Sequence, residues 1–409
     1  PTGASLAGGY NLATDQQWEF TVWGERVLAS NINDPLQGIQ MGNTSFSSVV
    51  TSTLKPQARH IAVVGDFVVL GNTKEGSTIT PNRVRWSALG DLADFDSAAA
   101  TQAGYQDLQG PGGWVQSVVG GEFGLIFRDH SITRMTYVNS PLIFQFDEVE
   151  RNRGVWAPYS TISHGRFTFF IADDGFYVWD GAEAVPIGRE QVDRTFFNEV
   201  DETYKGQISA AIDPDNSIVA WAYTTSATAG NGDPDKIILF NWRDKRWAWV
   251  DLDVEIIFTT LSTGYTLDGL DNISTNIDSL APSLDSRAWT GGNTLLGAFD
   301  RGHRLSTFTG STLVGEIITR EQQLFPKERA FVSSVRPEVD GSSVDIAAAV
   351  GSRDRLIDSV SFGTASTINA NGECPIEDDA VYQRFRFSLS ASFAHAIGYD
   401  VTAVPNGVP

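Results

Sequence analysis

The stretch "AVVGDFVVLGN" (62–72) repeats a pattern already present in "TVWGERVLASN" (21–31), with Gly24 under Gly65, Glu25 under Asp66, Val27 under Val68 and Asn31 under Asn72. A chain that writes the same hairpin twice is constrained to a fold that reuses one small unit. The pattern extends further. "VVGGEFGLIFRD" (118–129) places Gly121 and Glu122 before an aromatic-rich strand, "SHGRFTFFIADDG" (163–175) has Gly165 in the same place, and "DPDNSIVAWAYTT" (213–225) is a diverged copy with Asn216 at the turn. The turn positions 24, 65, 121, 165 and 216 are separated by 41, 56, 44 and 51 residues, about the length of one four-stranded propeller blade.

Each copy follows one logic: a strand ends in a tight turn whose residue must tolerate positive φ, hence Gly or Asn, and an apolar strand returns through the sheet. Further strands follow at "ITRMTYV" (132–138), "GFYVWDG" (175–181) and "KIILFNWRDKRWAWVDL" (236–252), the last with Arg243-Asp244 as a hairpin tip. A sixth unit lies around "NTLLGAFDRGHRLSTFTG" (293–310), where Asp300-Arg301-Gly302 is again hairpin-like. Short apolar stretches broken by Gly, Asn and Asp every eight to twelve residues leave almost no long 3.6-period segment. The reading is all-β: a β-propeller of about six blades over 1–312. An array of sandwiches is the alternative.

After 312 the texture changes. "RAFVSSVRPEVDG" (329–341), "SVDIAAAVG" (343–351) and "VYQRFRFSLS" (381–390) alternate strictly, with Phe385, Phe387 and Leu389 on one face and Arg384, Arg386 and Ser388 on the other. These predict a smaller β-sandwich-like C-terminal domain over 313–409, acting as a platform or interface and solvated on one side or facing a partner. Two excursions interrupt the pattern: an acidic, turn-rich loop at 264–288 and a flexible loop tip at 226–235.

The 409 residues, 41% apolar and 19% charged, suit a soluble chain with a sizeable core. No window approaches eighteen uninterrupted apolar residues, so no membrane span is expected, and "PTGASLAGGYN" lacks the basic and apolar regions of a secretory signal. The single cysteine, Cys374, excludes an internal disulfide and a cysteine-built metal site. Fifty acidic against 29 basic residues give a net charge of −21. Such a chain does not wrap DNA by neutralising phosphates, but it can line a passage that DNA traverses without sticking. Equally, the acidity can serve solubility alone.

The search for chemistry finds no catalytic, cofactor-binding or metal-ligating residue to name. His60, His130, His164, His303 and His395 are isolated, without HxH, HExxH or His-Cys spacing, and read as turn or edge residues. A GxSxG elbow and a GxxxxGK[ST] loop are absent. "DPDNS" (Asp213, Asp215, Ser217) and "DLD" (251–253) have the oxygen donors of a calcium loop, but "DPDNS" lacks the distal Glu, and the turn reading is preferred. "DDGFYVW" has Asp173 and Asp174 near the pattern of a sialidase Asp-box, itself a structural turn; a glycosidase would need two converging carboxylates. Of the basic residues 23 are Arg, and Arg83, Arg85, Arg128, Arg134, Arg166, Arg320, Arg329, Arg384 and Arg386 are expected within strands. Arg suits fixed bidentate pairs between blades or subunits, and ladders within the chain equally.

Longer phrases are more telling. "ARHIAVVGDFVVLGN", "NRVRWSALGDLADF", "GGEFGLIFRDHSITRMTYV" followed by "SPLIFQFDEVERNRG", "DDGFYVWDGAEAVPIG", "WTGGNTLLGAFDRGHRLSTFTG" and "QQLFPKERAFVSSVRPEVDG" resemble, in the same order, a family of tail proteins of short-tailed bacteriophages described as packaged-DNA stabilisation, tail hub or tail nozzle proteins. The resemblance runs from about 18 to 340 and is most specific from "EFGLIFRDHSITRMTY" to "ERNRG". It implies a non-enzymatic virion protein of the tail: a homo-hexameric ring beneath the portal and its adaptor, the head-to-tail connector. Double-stranded DNA would be retained in its channel and conducted through it at ejection without sequence-specific binding, with tail fibre or tailspike proteins as neighbours. The 264–288 loop is then a candidate for gating or for gripping fibres. The alternative is a carbohydrate-binding tail adhesin, a lectin-like propeller, in which Trp86, Trp179 or Trp242 would stack on sugars if exposed, burial in blade packing being the other use. No cofactor is implied by either.

Overall fold

The computed structural model describes residues 9–13, 16–227, 232–262, 264, 274, 276, 289–309 and 313–407, with backbone alone at 342–344, 391, 392 and 394. The chain is all-β, built of small antiparallel sheets, and divides into two compact units, Pro1–Gly264 with Arg287–Phe308 and Tyr265–Ser286 with Thr309–Pro409.

In the first unit six sheets follow one another along the chain, each a meander in which consecutive strands pair. Sheet one comprises β1 (Glu19–Trp23), β2 (Arg26–Ser30), β3 (Gln37–Gln40) and β4 (Ser47–Ser48). Sheet two comprises β5 (Gln57–Val64), β6 (Phe67–Glu75), β7 (Thr78–Trp86) and β8 (Gly104–Asp107). Sheet three is β9 (Val115–Val119), β10 (Gly124–Arg128), β11 (Ser131–Asn139) and β12 (Ile143–Arg151). Sheet four is β13 (Ile162–His164), β14 (Phe167–Ala172), β15 (Gly175–Trp179) and β16 (Ala184–Pro186). A short helix α1 (Asp193–Glu199) and a 3-10 turn (Glu202–Gln207) lead to sheet five, β17 (Ser209–Asp213), β18 (Ile218–Tyr223), β19 (Lys236–Asn241) and β20 (Arg246–Asp251). Sheet six holds β21 (Ile256–Leu261), β22 (Thr294–Phe299) and β23 (Leu305–Thr307).

The second strand of each meander carries the densest apolar run, "FVVLGN" in β6, "GLIF" in β10, "TFFIA" in β14 and "VAWAY" in β18, and every one of these residues is buried. A strand buried on both faces must be covered on both. In β10 Ile126 packs with sheet two while Leu125 and Phe127 pack with sheet four; in β14 Phe170 and Ala172 pack with sheet three while Phe169 and Ile171 pack with sheet five. The period-two alternation of a strand therefore serves two neighbouring sheets at once, and apolar clusters join sheets one and two through to five and six in chain order. The cluster between sheets four and five is the most aromatic: Phe176 has Phe196, Trp221 and Trp247 at 4.9, 5.1 and 5.0 Å between ring centroids. Burying a side chain such as Phe176 contributes on the order of 2–3 kcal/mol.

The second unit is organised by two 24-residue strands, here β25 (Ala330–Arg353) and β29 (Tyr382–Pro405), paired antiparallel from Ala330↔Pro405 to Arg353↔Tyr382. They are flanked by β24 (Gly315–Ile318), β26 (Ser361–Phe362), β27 (Ser366–Thr367) and β28 (Cys374–Ala380). Phe385 and Tyr399 lie fourteen residues apart on β29, roughly 45 Å along a straight strand. Their rings are 5.6 Å apart, so the ribbon folds back on itself, and three of its four register shifts cluster between Glu338 and Ser343, the other lying at Val332/Ser334. Inside the fold Phe385, Phe387 and Leu389 are buried with Val332, Val335 and Cys374, while Arg384, Arg386 and Ser388 stay on the wetter face.

Candidate functional site

The recurring hairpin is the first turn of each meander. Trp23↔Arg26, Val64↔Phe67 and His164↔Phe167 enclose the two-residue turns Gly24-Glu25, Gly65-Asp66 and Gly165-Arg166. The three glycines have φ of +57, +54 and +58°, whereas the second turn residues are not left-handed, the pattern of a type II′ turn. In sheet five the turn spans 214–217, and Ser217 at φ +58° takes the left-handed position expected for Asn216. Asp213 explains the shift: its Oδ1 accepts from the backbone N–H of Asp215 (3.1 Å) and Asn216 (3.3 Å), and its Oδ2 from the Asn216 amide (2.6 Å). The aspartate folds the turn locally, as Asx side chains do.

These turns present an exposed carboxylate in four of the first five sheets, at Glu25, Asp66, Glu122 and Asp215, with Arg166 in the other. This acidic row is the candidate functional surface. Glu25 and Asp66 were aligned by the repeat itself, and Asp215, weighed above only within a calcium-type loop, joins them. Two of the turns are laced together: Gly65 N–H donates to the Gly121 carbonyl (2.8 Å) and Gly121 N–H to the Val63 carbonyl (2.9 Å). A Cβ on Gly120 would collide with that Val63 carbonyl, so the close approach of the two hairpins requires glycine there. In sheet six the first connection runs from 262 to 293; apart from Gly264, Ser274 and Asn276, the 264–288 excursion lies outside the described residues. Of the 226–235 loop tip, 228–231 lie outside them too; its described flank is tied by Thr224 Oγ1 donating to the Gly232 carbonyl (2.5 Å).

Asp174, Asp193 and Glu199 do architectural work. Asp174 accepts from Tyr177 Oη (2.8 Å) and Arg153 Nη2 (3.2 Å), and both it and Asp173 are exposed. Burial and the Asp174 bond push the Tyr177 hydroxyl up to about 12. Asp193 Oδ1 accepts from Phe176 N–H (3.1 Å) in a cradle formed by Gly175 and Gly188, whose missing Cβ atoms make room for it. Glu199 accepts from the Tyr223 hydroxyl and from Lys236 (2.9 Å). Among the described residues no three His, Cys, Asp or Glu side chains gather as a metal site.

His130, His164 and His303 occupy turns or strand ends, and His395 an exposed place on β29, but His60 departs from the turn-or-edge expectation. It is fully buried in mid-β5, its Nδ1 2.8 Å from Glu19 Oε2 on β1, which links sheets one and two. No local signal in "ARHIAVV" named its partner, which lies 41 residues away.

The arginines divide. Arg83 forms a bidentate pair with Asp107 (2.6 and 2.9 Å) and reaches Glu75 (3.1 Å), which also accepts from Arg85 (2.8 Å): a ladder across β6, β7 and β8 of one sheet. Arg329 pairs with Asp354 and Asp379, whereas Arg384 and Arg386 lie over the Phe362 ring. Arg166, Arg320 and Arg329 fall outside strands, in a turn or flanking β24 and β25, and Arg134 is exposed within β11. Trp86 and Trp179, two of the three tryptophans considered for sugar stacking, are 5% and 2% exposed and belong to the core; Trp242 is half-buried.

No family model and no curated protein matches the chain. Among solved structures it is similar to the crystal structure of the computationally designed Ika8 protein, with a TM-score of 0.36 and 8% identity over 71% of this chain and 70% of that one. At that score the likeness carries no argument. No helix among the described residues is long and apolar enough to cross a membrane.

Proposed function

We propose that the chain is a structural subunit of a short phage tail, its first unit a β-propeller of about six blades and its second a β-sandwich-like interface domain. Six copies would ring a channel that retains packaged DNA and conducts it during ejection, beneath the portal and adaptor and beside the fibre or spike proteins. The observation that carries the reading is the acidic row: Glu25, Asp66, Glu122 and Asp215 stand exposed at the first-hairpin turns of sheets one, two, three and five. Carboxylates at four of the five turns, with Arg166 the single cation among them, repel phosphate along most of the row, so DNA would slide instead of binding. The net charge of −21 acts in the same sense. Further support comes from the phrases shared with tail hub and nozzle proteins, the most specific of which forms the whole of β10 to β12 and the turn after it. A closed ring also needs head-to-tail contacts between unlike surfaces, and the one-sided ribbon of the second unit offers such a surface.

The test is a cryo-EM reconstruction of the intact particle with six-fold averaging on the tail axis. Six copies around the axis with the acidic row toward the bore are expected. Copies grouped in threes at the periphery would overturn the reading and favour the adhesin.

A further inference from the structure

Between sheets four and five lies a cleft of about 410 Å³, lined by Phe167 and Phe169 of β14, Val178 of β15, Val185 and Pro186 of β16, and Phe240 and Trp242 at the end of β19. Three polar side chains stand on its rim: Asp180, Gln191 and Lys245. The size is that of a small-molecule site, within the ~300–1,000 Å³ typical of such clefts. Phe169 and Phe240 are buried, while Phe167 and Trp242 are half-buried and form its partly open wall. Trp242 is braced by Phe169 at 5.7 Å and His164 at 5.9 Å between ring centroids.

The rim decides what the cleft would accept. Asp180 Oδ1 is committed to the backbone N–H groups of Ala182 (2.9 Å) and Glu183 (3.0 Å), which fixes the carboxylate in place. Its Oδ2, the Gln191 amide and the Lys245 ammonium make no hydrogen bond to any described residue, and Lys245 is held in a left-handed turn at φ +54°. An aliphatic side chain of a protein partner seated here would offer these groups no hydrogen-bond partner in exchange for the water it displaced. A charged ligand would meet one rim charge of its own sign. A neutral ring with a C–H face for the aromatic wall and hydroxyls for the acceptor, the amide and the ammonium satisfies all of them.

We infer that the cleft between sheets four and five is a carbohydrate subsite that takes a neutral pyranose, with Phe167 and Trp242 against its C–H face and Asp180, Gln191 and Lys245 on its hydroxyls. The inference is independent of the tail reading: a conduit subunit and an adhesin could each carry it.

The experiment uses the full chain with methyl α-D-glucopyranoside, methyl β-D-galactopyranoside and N-acetylglucosamine, read by saturation-transfer NMR and by tryptophan fluorescence. Binding in the millimolar range to at least one is expected, with saturation strongest on ring C–H protons. Trp242→Ala should abolish it, and Lys245→Ala and Gln191→Ala should each weaken it about 5- to 10-fold, the size of one lost hydrogen bond to a charged or amide group. The two rim residues are exposed, so their substitutions keep the test decisive if Trp242→Ala fails to fold. No saturation transfer with any of the three sugars at 100 mM (roughly 100 times a millimolar Kd), or binding unchanged in all three variants, overturns the inference. So does concentration-dependent self-association that Trp242→Ala removes, because a second copy would then occupy the cleft.

Discussion

Arg128 Nη2 donates to the Leu108 carbonyl at 3.2 Å, although Arg128 is 4% exposed and no carboxylate accepts from it. Its other partners are also carbonyls, Gly113 through Nε at 3.1 Å and Gly110 at 3.5 Å. Burial lowers its pKa from the ordinary arginine value, yet arginine stays charged because that value starts so high. The guanidinium is thus a clamp on the 108–113 loop. Gly112 and Gly154 leave room around it, since a Cβ on Gly112 would meet the guanidinium and one on Gly154 the Arg128 carbonyl.

Arg128→Met keeps most of the apolar stem and removes all three donated bonds, leaving the buried Leu108 carbonyl with the Asn82 amide alone (3.1 Å) and the Gly113 and Gly110 carbonyls without the guanidinium. A loss of about 3 kcal/mol in urea unfolding is expected, with amide exchange rising first in residues 108–113. A loss below about 0.5 kcal/mol, the ordinary surface range, would show that the clamp carries no stability.

Gly24 and Gly120 separate two reasons for glycine. Gly24 needs its left-handed φ but has open space where a Cβ would go, whereas Gly120 has the Val63 backbone there. Gly24→Ala should therefore cost about 1 kcal/mol, the price of strain alone. Gly120→Ala must push two hairpins apart and should cost about 2–3 kcal/mol, with exchange rising at the Gly65 and Gly121 amides together. Equal costs would sink the distinction.

What the sequence revealed and what it hid follow from the range of the interactions involved. The repeat located the hairpins because a two-residue turn is decided by its own Gly, and the alternation in "RFRFSLS" located the buried face because period two is local. Ser217, not Asn216, took positive φ because Asp213 two residues before the loop centre chose the turn. The Glu19 partner of His60 lies 41 residues away, and the arginine ladder of Arg83 joins three strands; neither distance is written in any window. The cleft between sheets four and five was hidden for the same reason, since Phe167 and Trp242 become neighbours only when two sheets stack.

His303 lies exposed in the β22–β23 turn with Nδ1 2.6 Å from Glu255 Oε1. That hydrogen bond and charge raise its pKa above the ordinary 6.5. A histidine raised in the folded state contributes stability fully below its unfolded value and loses it as pH rises through the folded one. An NMR titration should place its midpoint above 6.5, and Glu255→Gln should bring it down. An unchanged midpoint in that variant would assign the shift elsewhere.

Asp193 offers the opposite sign from the usual carboxylate. Burial, first, and the nearby charge of Asp174 raise its pKa above 3.8, against the lowering effect of the Phe176 N–H. The folded state therefore holds this proton more tightly than the unfolded chain, so the group's contribution is largest below pH 3.8 and falls as pH rises through the folded value. Asn at 193 keeps an oxygen acceptor for Phe176 N–H and carries no charge at any pH. The stability of Asp193→Asn relative to the native chain should thus improve as pH is raised from about 3 to 7, because only the native carboxylate becomes ionised in its cradle. Asp193→Ala should show the same pH trend but lie about 1–3 kcal/mol below Asp193→Asn at every pH, because the Phe176 N–H, behind a fully buried side chain, loses its acceptor. Urea unfolding of all three proteins at four pH values measures both trends, and a difference between Asp and Asn that does not change with pH would show that Asp193 ionises as freely in the fold as outside it.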